Sequence, residues 1–193
     1  MNVNSPGCSW ERRSAPTVLE GENHYMQIIT EENRKVQSIE LDLLKKFITI
    51  CRKHNLAYCA SSGTLLGAAR HHGFIPWDDD IDLFLMWDDY KKLMEVAPKE
   101  CEYPYFFQSH HTEPEGEASA CRLRRSDTTG CTQWEMETIS DPTYNRGVFI
   151  DIFPLFDVPN SLLMRKLQHR LVMFWWKCIR GHDAMREKRK RPD

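Results

Sequence analysis

Apolar residues between positions 36 and 51 recur at steps of three and four: Val36, Ile39, Leu43, Phe47, Ile50 and Cys51. That period gathers them on one stripe and predicts a helix. Thr30 caps its start, with Glu31 and Glu32 in the first turn where carboxylates suit the helix dipole, and it ends near His54–Asn55. Leu56–Ala60 reads as a short strand, broken by Ser61-Ser62-Gly63-Thr64, and Leu65–Arg70 as the first turns of a second helix. His71-His72-Gly73 is a turn. Ile81–Met86 is a strand, apolar except at Asp82. Trp87-Asp88-Asp89 opens a helix with Tyr90, Leu93, Met94 and Ala97 on one face, expected to stop at Pro98 because proline lacks an N–H. Strands are expected at Tyr105–Ser109, Ala120–Arg124, Thr128–Glu135 and Gly147–Phe153, the last stopped by Pro154, with a turn at Asp141–Arg146. Ser161 caps a final helix carrying Leu162, Leu163, Leu167, Leu171, Phe174 and Trp175. Residues 1–29 lack periodicity and read as a loose arm, 30–180 as one domain, and 181–193 as a basic disordered tail. Helices mixed with short strands give an α/β (α+β) fold class, a mixed sheet flanked by helices.

Composition changes this picture in two ways. A hydrophobic content of 41% over 193 residues supports one packed core. The formal net charge of −2 hides a split: the chain from Arg165 onward carries a local +7 and the preceding part a local −9. Six Asp lie within Asp78–Asp89 with no Lys or Arg between them. So acidic a body excludes a general nucleic-acid coat, and no nucleic-acid partner is expected. The densest apolar run, Leu171–Trp176, is far short of the ~20 residues that span a bilayer. Pro6, Gly7, Glu11, Arg12, Arg13 and Pro16 interrupt the start, so no secretory signal is expected. The seven Cys are scattered and none forms a C-x2-C pair, which points to reduced thiols in a cytoplasmic protein. The basic tail is a secondary candidate for weak contact with an anionic membrane surface, its plainer reading being a solvated end.

The candidate chemistry lies in Asp80-Ile81-Asp82. In a strand, alternate residues share a face, so the two carboxylates project together while Ile81 and Leu83 turn to a core. Side by side and partly desolvated they repel, and a hard cation such as Mg²⁺ or Mn²⁺ relieves that cost. Asp151 stands inside the apolar strand Phe149-Ile150-Asp151-Ile152-Phe153, where an acid needs a partner. If the two strands are neighbours, three carboxylates converge. Asp88 and Asp89 read instead as a solvated helix start. The Ser61–Gly67 segment is a small flexible turn followed by a helix, which leaves backbone N–H groups free for an anion. Ser62, Gly63 and Thr64 are therefore candidate phosphate contacts, and Arg70, Arg122, Arg124 and Arg146 candidate clamps, each also readable as a surface charge. His71 and His72 read as surface residues of a turn.

Ser61–Asp82, SSGTLLGAARHHGFIPWDDDID, closely resembles the hallmark block of the LicD family, which includes bacterial phosphocholine transferases and the animal fukutin-type ribitol-phosphate transferases. The resemblance continues through Tyr90, Ala97-Pro98, Phe107-Gln108-Ser109, Arg122-Leu123-Arg124, Thr128-Thr129 and Gly147–Pro154, and covers about 30–159. It implies a nucleotidyltransferase-like fold in which Ser62-Gly63, Asp80/Asp82 and Asp151 match the glycine-serine turn, the Asp-x-Asp strand and the third acid. It further implies a transferase that takes a CDP-alcohol, such as CDP-choline or CDP-ribitol, moves the phosphoalcohol to a glycan or glycolipid hydroxyl and releases CMP. On this reading Asp80, Asp82 and Asp151 hold Mg²⁺ or Mn²⁺, and Asp151, Asp79 or Asp78 is the general base. Two alternatives stand beside it: a nucleotidyltransferase that transfers NMP, and a shortened inactive member that binds nucleotide or a partner, since relatives usually continue further at the C-terminus.

Overall fold

The computed structural model describes residues 31–114 and 120–190, with side chains described as far as residue 178. The expected arm at 1–29, the Thr30 cap and residues 191–193 lie outside that range. The chain divides into two compact units, the first ending at Leu155 and the second beginning at Phe156.

In the first unit, helix α1 (Glu31–His54) forms over the expected apolar stripe and buries Leu43, Phe47, Ile50 and Cys51. Strand β1 (Tyr58–Ala60) leads to helix α2 (Ser62–Arg70), strand β2 (Asp82–Met86) and helix α3 (Trp87–Glu100). Strands β3 (Tyr105–Gln108) and β4 (Cys121–Arg125), helix α4 (Gln133–Thr138) and strand β5 (Val148–Leu155) complete it. The strands form one mixed sheet in the order β1-β2-β5-β4-β3. Among the described residues only β2 and β5 pair in parallel; the other three pairings are antiparallel.

Strand alternation splits the sheet into two chemically different faces. Leu83, Leu85, Leu123, Ile150 and Ile152 are at most 1% exposed and join the core with Leu43, Phe47 and Leu93 of α1 and α3. Burying each such side chain contributes ~1.5–3 kcal/mol. The opposite face carries Asp82, Phe84, Arg122, Arg124, Phe149, Asp151 and Phe153, in cross-strand register. Every charged candidate in the sheet is on this second face.

Four local expectations change. Thr128–Glu135 is not a strand. Thr132 accepts the Glu135 N–H while Glu135 Oε2 accepts the Thr132 N–H at 2.8 Å, a reciprocal cap that starts α4 at Gln133. Pro98 does not end α3, which runs on to Glu100. Pro154 likewise lies inside β5 rather than stopping it. Ser61 does not break the chain into a turn: α2 begins at once at Ser62.

In the second unit the described backbone is helix α5 (Leu162–Lys190). The Arg165 N–H donates to the Ser161 carbonyl at 2.9 Å, so the helix starts where Ser161 predicts. It continues through 181–190, where a disordered tail was expected. Ala184, Met185, Arg186, Glu187 and Lys188 are all strong helix formers, and charge alone does not override that propensity.

Candidate active site

The parallel pairing of β2 with β5 sets Asp82 directly opposite Asp151. The Asp151 N–H donates to the Ile81 carbonyl at 2.9 Å, which extends the ladder back past the first residue of β2. Asp80 lies two residues before Asp82 on the approach to the strand, and Ile81 between them is buried. Neighbouring carboxylates raise the proton affinity of Asp80 and of Asp82. Asp80 is pushed up to about 6 by burial, then by the charges of Asp78 and Asp82. Asp82 is raised by burial and by Asp151, partly offset by a hydrogen bond from Ser62. Asp78 and Asp80 share a side-chain hydrogen bond.

The start of α2 is held against this cluster. Asp82 N–H donates to Thr64 Oγ1 at 2.8 Å and Ser61 N–H to the Asp82 carbonyl at 3.0 Å. Ser62 adopts φ 44°, a left-handed conformation that costs a non-glycine residue ~1–2 kcal/mol. Its hydroxyl lies 3.0 Å from that of Ser61. Ser61 at the N-cap makes no side-chain capping bond, so the first N–H groups of α2 lack the usual internal acceptor. A Cβ on Gly63 would stand 2.5 Å from Asp78 Oδ2, so glycine permits the aspartate loop to approach the helix start. A Cβ on Gly67 would stand 2.6 Å from the Gly73 carbonyl, and the same close packing turns the chain from α2 into that loop.

Arg122 and Arg124 face the site side of the sheet but serve different ends. Arg122 Nε donates to Asp151 Oδ1 at 2.8 Å and its Nη1 to Glu135 Oε1 at 2.9 Å. It thereby orients Asp151 rather than standing open to a ligand. Arg124 is 0% exposed. Its Nε donates to Gln108 Oε1 at 2.7 Å and its Nη1 to the Gly147 carbonyl at 2.8 Å, while Nη2 pairs with Glu135. The expected phosphate clamp at Arg124 is thus a buried structural cation. Arg70 is exposed in the last turn of α2. Arg146 donates to the Ile139 carbonyl at 2.8 Å. Asp79 is exposed beside the cluster. Asp88 and Asp89 belong to the first turn of α3, Asp88 paired with Lys91 at 2.9 Å and Asp89 accepting from the Ala57 N–H at 3.1 Å. His71 packs edge-on against Trp77 with ring centroids 6.5 Å apart.

Sequence reasoning passed over two acids. Glu135 anchors Arg122, Arg124 and Tyr144, and the T-x-x-E signature of a cap was its signal. Glu40 stands on the buried stripe of α1, four residues after Val36 and three before Leu43; an acid inside an apolar period was its signal. Burial, then Asp79, Asp80, Asp78 and Asp151, push Glu40 up to about 9.

Among the described residues no three His, Cys, Asp or Glu side chains make a closed ion shell. Mg²⁺ rarely uses one. It is held by one or two carboxylates with water and substrate phosphate completing the shell. Asp80 and Asp82, both oxygen donors, with Asp80 raised by the charge of Asp82, fit that demand.

The sequence itself has relatives. Over 134 residues, 66% of this chain, it is 31% identical to the lipopolysaccharide cholinephosphotransferase LicD of Haemophilus influenzae. That stretch covers 46% of the relative, so the chain spans less than half of its length. An uncharacterised protein of Rickettsia prowazekii is 35% identical over 88 residues, 42% of this chain and 33% of its own. The LicD/FKTN/FKRP nucleotidyltransferase-domain family matches residues 55–176, a span that holds the start of α2, Asp80, Asp82, Arg122, Glu135 and Asp151, and this chain belongs to that family.

Proposed function

We propose that this protein is a metal-dependent transferase that moves a phosphoalcohol group from a CDP-alcohol to a glycan hydroxyl and releases CMP. The observation that carries the reading is the register of Asp82 with Asp151, beside Asp80 and against the uncapped start of α2. The N–H groups of Ser62, Gly63 and Thr64 bind a donor phosphate at the positive end of the helix. Asp80 and Asp82 hold Mg²⁺ or Mn²⁺, which when bound neutralises phosphate oxygens for in-line transfer. Asp151, oriented by the 2.8 Å bond from Arg122, is either a further ligand or the base that takes the acceptor's proton. Asp79 and Asp78 are the other base candidates. Arg70 is the exposed guanidinium available to a diphosphate. The Haemophilus relative's name supports choline phosphate as the group and lipopolysaccharide as the class of acceptor. No described helix is long and apolar enough to cross a membrane, and contact of the basic C-terminal segment with anionic lipid is the secondary reading beside a solvated end.

Product analysis by mass spectrometry tests the reaction. Incubation with Mg²⁺, CDP-choline or CDP-ribitol and a glycan acceptor should release CMP and add the phosphoalcohol mass to the acceptor. Pyrophosphate release from a nucleoside triphosphate would replace this reading with nucleotidyl transfer. Binding of cytidine nucleotide without turnover of any donor would reduce the protein to a binding module.

A further inference from the structure

The face of the sheet that carries Asp82 and Asp151 continues past them into a row of aromatic rings. Phe84 and Phe153 are cross-strand partners two residues beyond that pair, on the same parallel strands and the same face. Both are half-buried, and their rings meet edge-on with centroids 5.9 Å apart. The core on the opposite face is built without them, from Leu83, Leu85, Ile150 and Ile152 of the same strands. Phe149 supplies an internal comparison. It stands two residues before Asp151, as Phe153 stands two residues after it, and on the same face. Its ring holds cations: the guanidinium carbons of Arg122 and Arg124 lie 4.3 and 4.5 Å from its centroid. Among the described residues no Lys or Arg stands over Phe84 or Phe153. On one side of Asp151 the fold covers an aromatic ring with its own cations. On the other it leaves the matching rings without one, beside two carboxylates.

We propose that Phe84 and Phe153 are specificity-determining residues that receive the alcohol of the donor, and that the alcohol they select carries a quaternary ammonium. This deepens the transferase reading above and rests on it. An aromatic ring attracts a cation through its quadrupole, and a quaternary ammonium, which has no hydrogen bond to donate, is recognised chiefly in this way. Two residues of strand carry the sheet ~6.6 Å from Asp82 and Asp151 to the aromatic row. The P–O–C–C–N chain of a phosphocholine has a similar reach, so a phosphate held at the acids sets its ammonium against the rings. A polyol such as ribitol gains nothing there. Its hydroxyls need hydrogen-bond partners, and two phenyl rings supply none.

Calorimetric titration of the full chain in Mg²⁺ tests this with four ligands: CDP, CDP-ribitol, CDP-choline, and the uncharged isostere of CDP-choline in which carbon replaces the nitrogen. The isostere copies the shape of choline and lacks its charge. The wild type should bind CDP-choline about 10-fold more tightly than the isostere. Phe153→Leu and Phe84→Leu, which keep an apolar side chain, should each lose most of that preference while binding CDP as the wild type does. The comparison of ligands on the wild type needs no variant, so it decides the matter even where a variant fails to fold. Equal affinity of the wild type for CDP-choline and the isostere, with CDP bound, overturns the ammonium subsite and leaves the transferase reading standing. Tighter binding of CDP-ribitol than of CDP-choline does the same. Equal weakening of CDP and CDP-choline in the Leu variants assigns the two rings to the nucleotide or to packing and overturns the proposal. A wild type that binds no cytidine nucleotide overturns both readings.

Discussion

Glu40 and Glu135 are glutamates sealed from solvent on opposite sides of one sheet, at 2% and 0% exposure. Glu135 is surrounded by donors. Burial alone would raise its proton affinity, but the Thr132 N–H, the Tyr144 hydroxyl, Arg124 and Arg122 outweigh it and hold the carboxyl below its ordinary value. Glu40 meets only burial and other acids, and goes the opposite way, up to about 9. The same side chain at the same depth is thus a structural anion in one place and an unsatisfied acid in the other. Partners, rather than burial, make the difference. Where the fold supplies donors the carboxylate keeps its charge and, through Arg122, fixes Asp151; where it supplies none the acid holds its proton.

The comparison breaks most severely on the completed side. Arg124→Met would strip Glu135 of a buried cation and should cost about 3–5 kcal/mol, read as a lowered midpoint in urea denaturation. A loss under 1 kcal/mol would mean that Arg122 and Tyr144 satisfy Glu135 unaided. On the other side, Asp82→Asn should leave stability unchanged or improved, since it removes repulsion. It should cut turnover by about 10²–10³-fold, as loss of a charge-stabilising group does. A destabilised yet active Asp82→Asn would reverse the contrast. Thr132→Ala removes one half of the cap that starts α4 and should cost ~1 kcal/mol, with Asp151 less firmly oriented behind it.

The effect of pH has opposite signs at the two sites. Asp80 and Glu40 have raised folded values, about 6 and about 9. Their contribution to metal-free stability is complete below their ordinary values near 4 and is lost as pH climbs through 6 and then 9. Glu135 has a lowered folded value, so its contribution is present above its ordinary 4.5 and is lost on acidification. Melting temperatures from pH 4 to 9 should therefore decline less steeply on the alkaline side in Glu40→Gln than in the wild type. Identical alkaline slopes in the two proteins would remove Glu40 from the account.

Much of this was legible in the chain. The stripe Leu43–Phe47–Ile50 gave α1 its place, and the alternation around Ile81 and Ile150 gave β2 and β5 theirs. The block Ser61–Asp82 identified the family before any geometry. Arg124 was misread because a sequence cannot say whether a guanidinium in a β-prone stretch faces solvent or a buried acid. Thr128–Glu135 was misread because β-branched residues outweighed a capping signature that had its own physical warrant. Pro98 and Pro154 misled because a proline is tolerated in an element's last turn or at a ladder position where its missing N–H is not needed.

Local order is what the sequence by itself determined: which residues turn inward, which acids lie two apart, where helices begin. Those properties depend on periodicity and near-neighbour sterics, which a linear chain contains. What only the tertiary structure decided is which charges meet. Asp82 faces Asp151 across some seventy residues because β2 and β5 are parallel neighbours, a consequence of how the sheet orders its strands. Arg122 meets Glu135, and Gln37 meets the aspartate loop, likewise only in the folded chain. Coulomb energy falls with distance and rises as water is excluded, and both are properties of the folded space around a residue, set by packing rather than by its place in the chain.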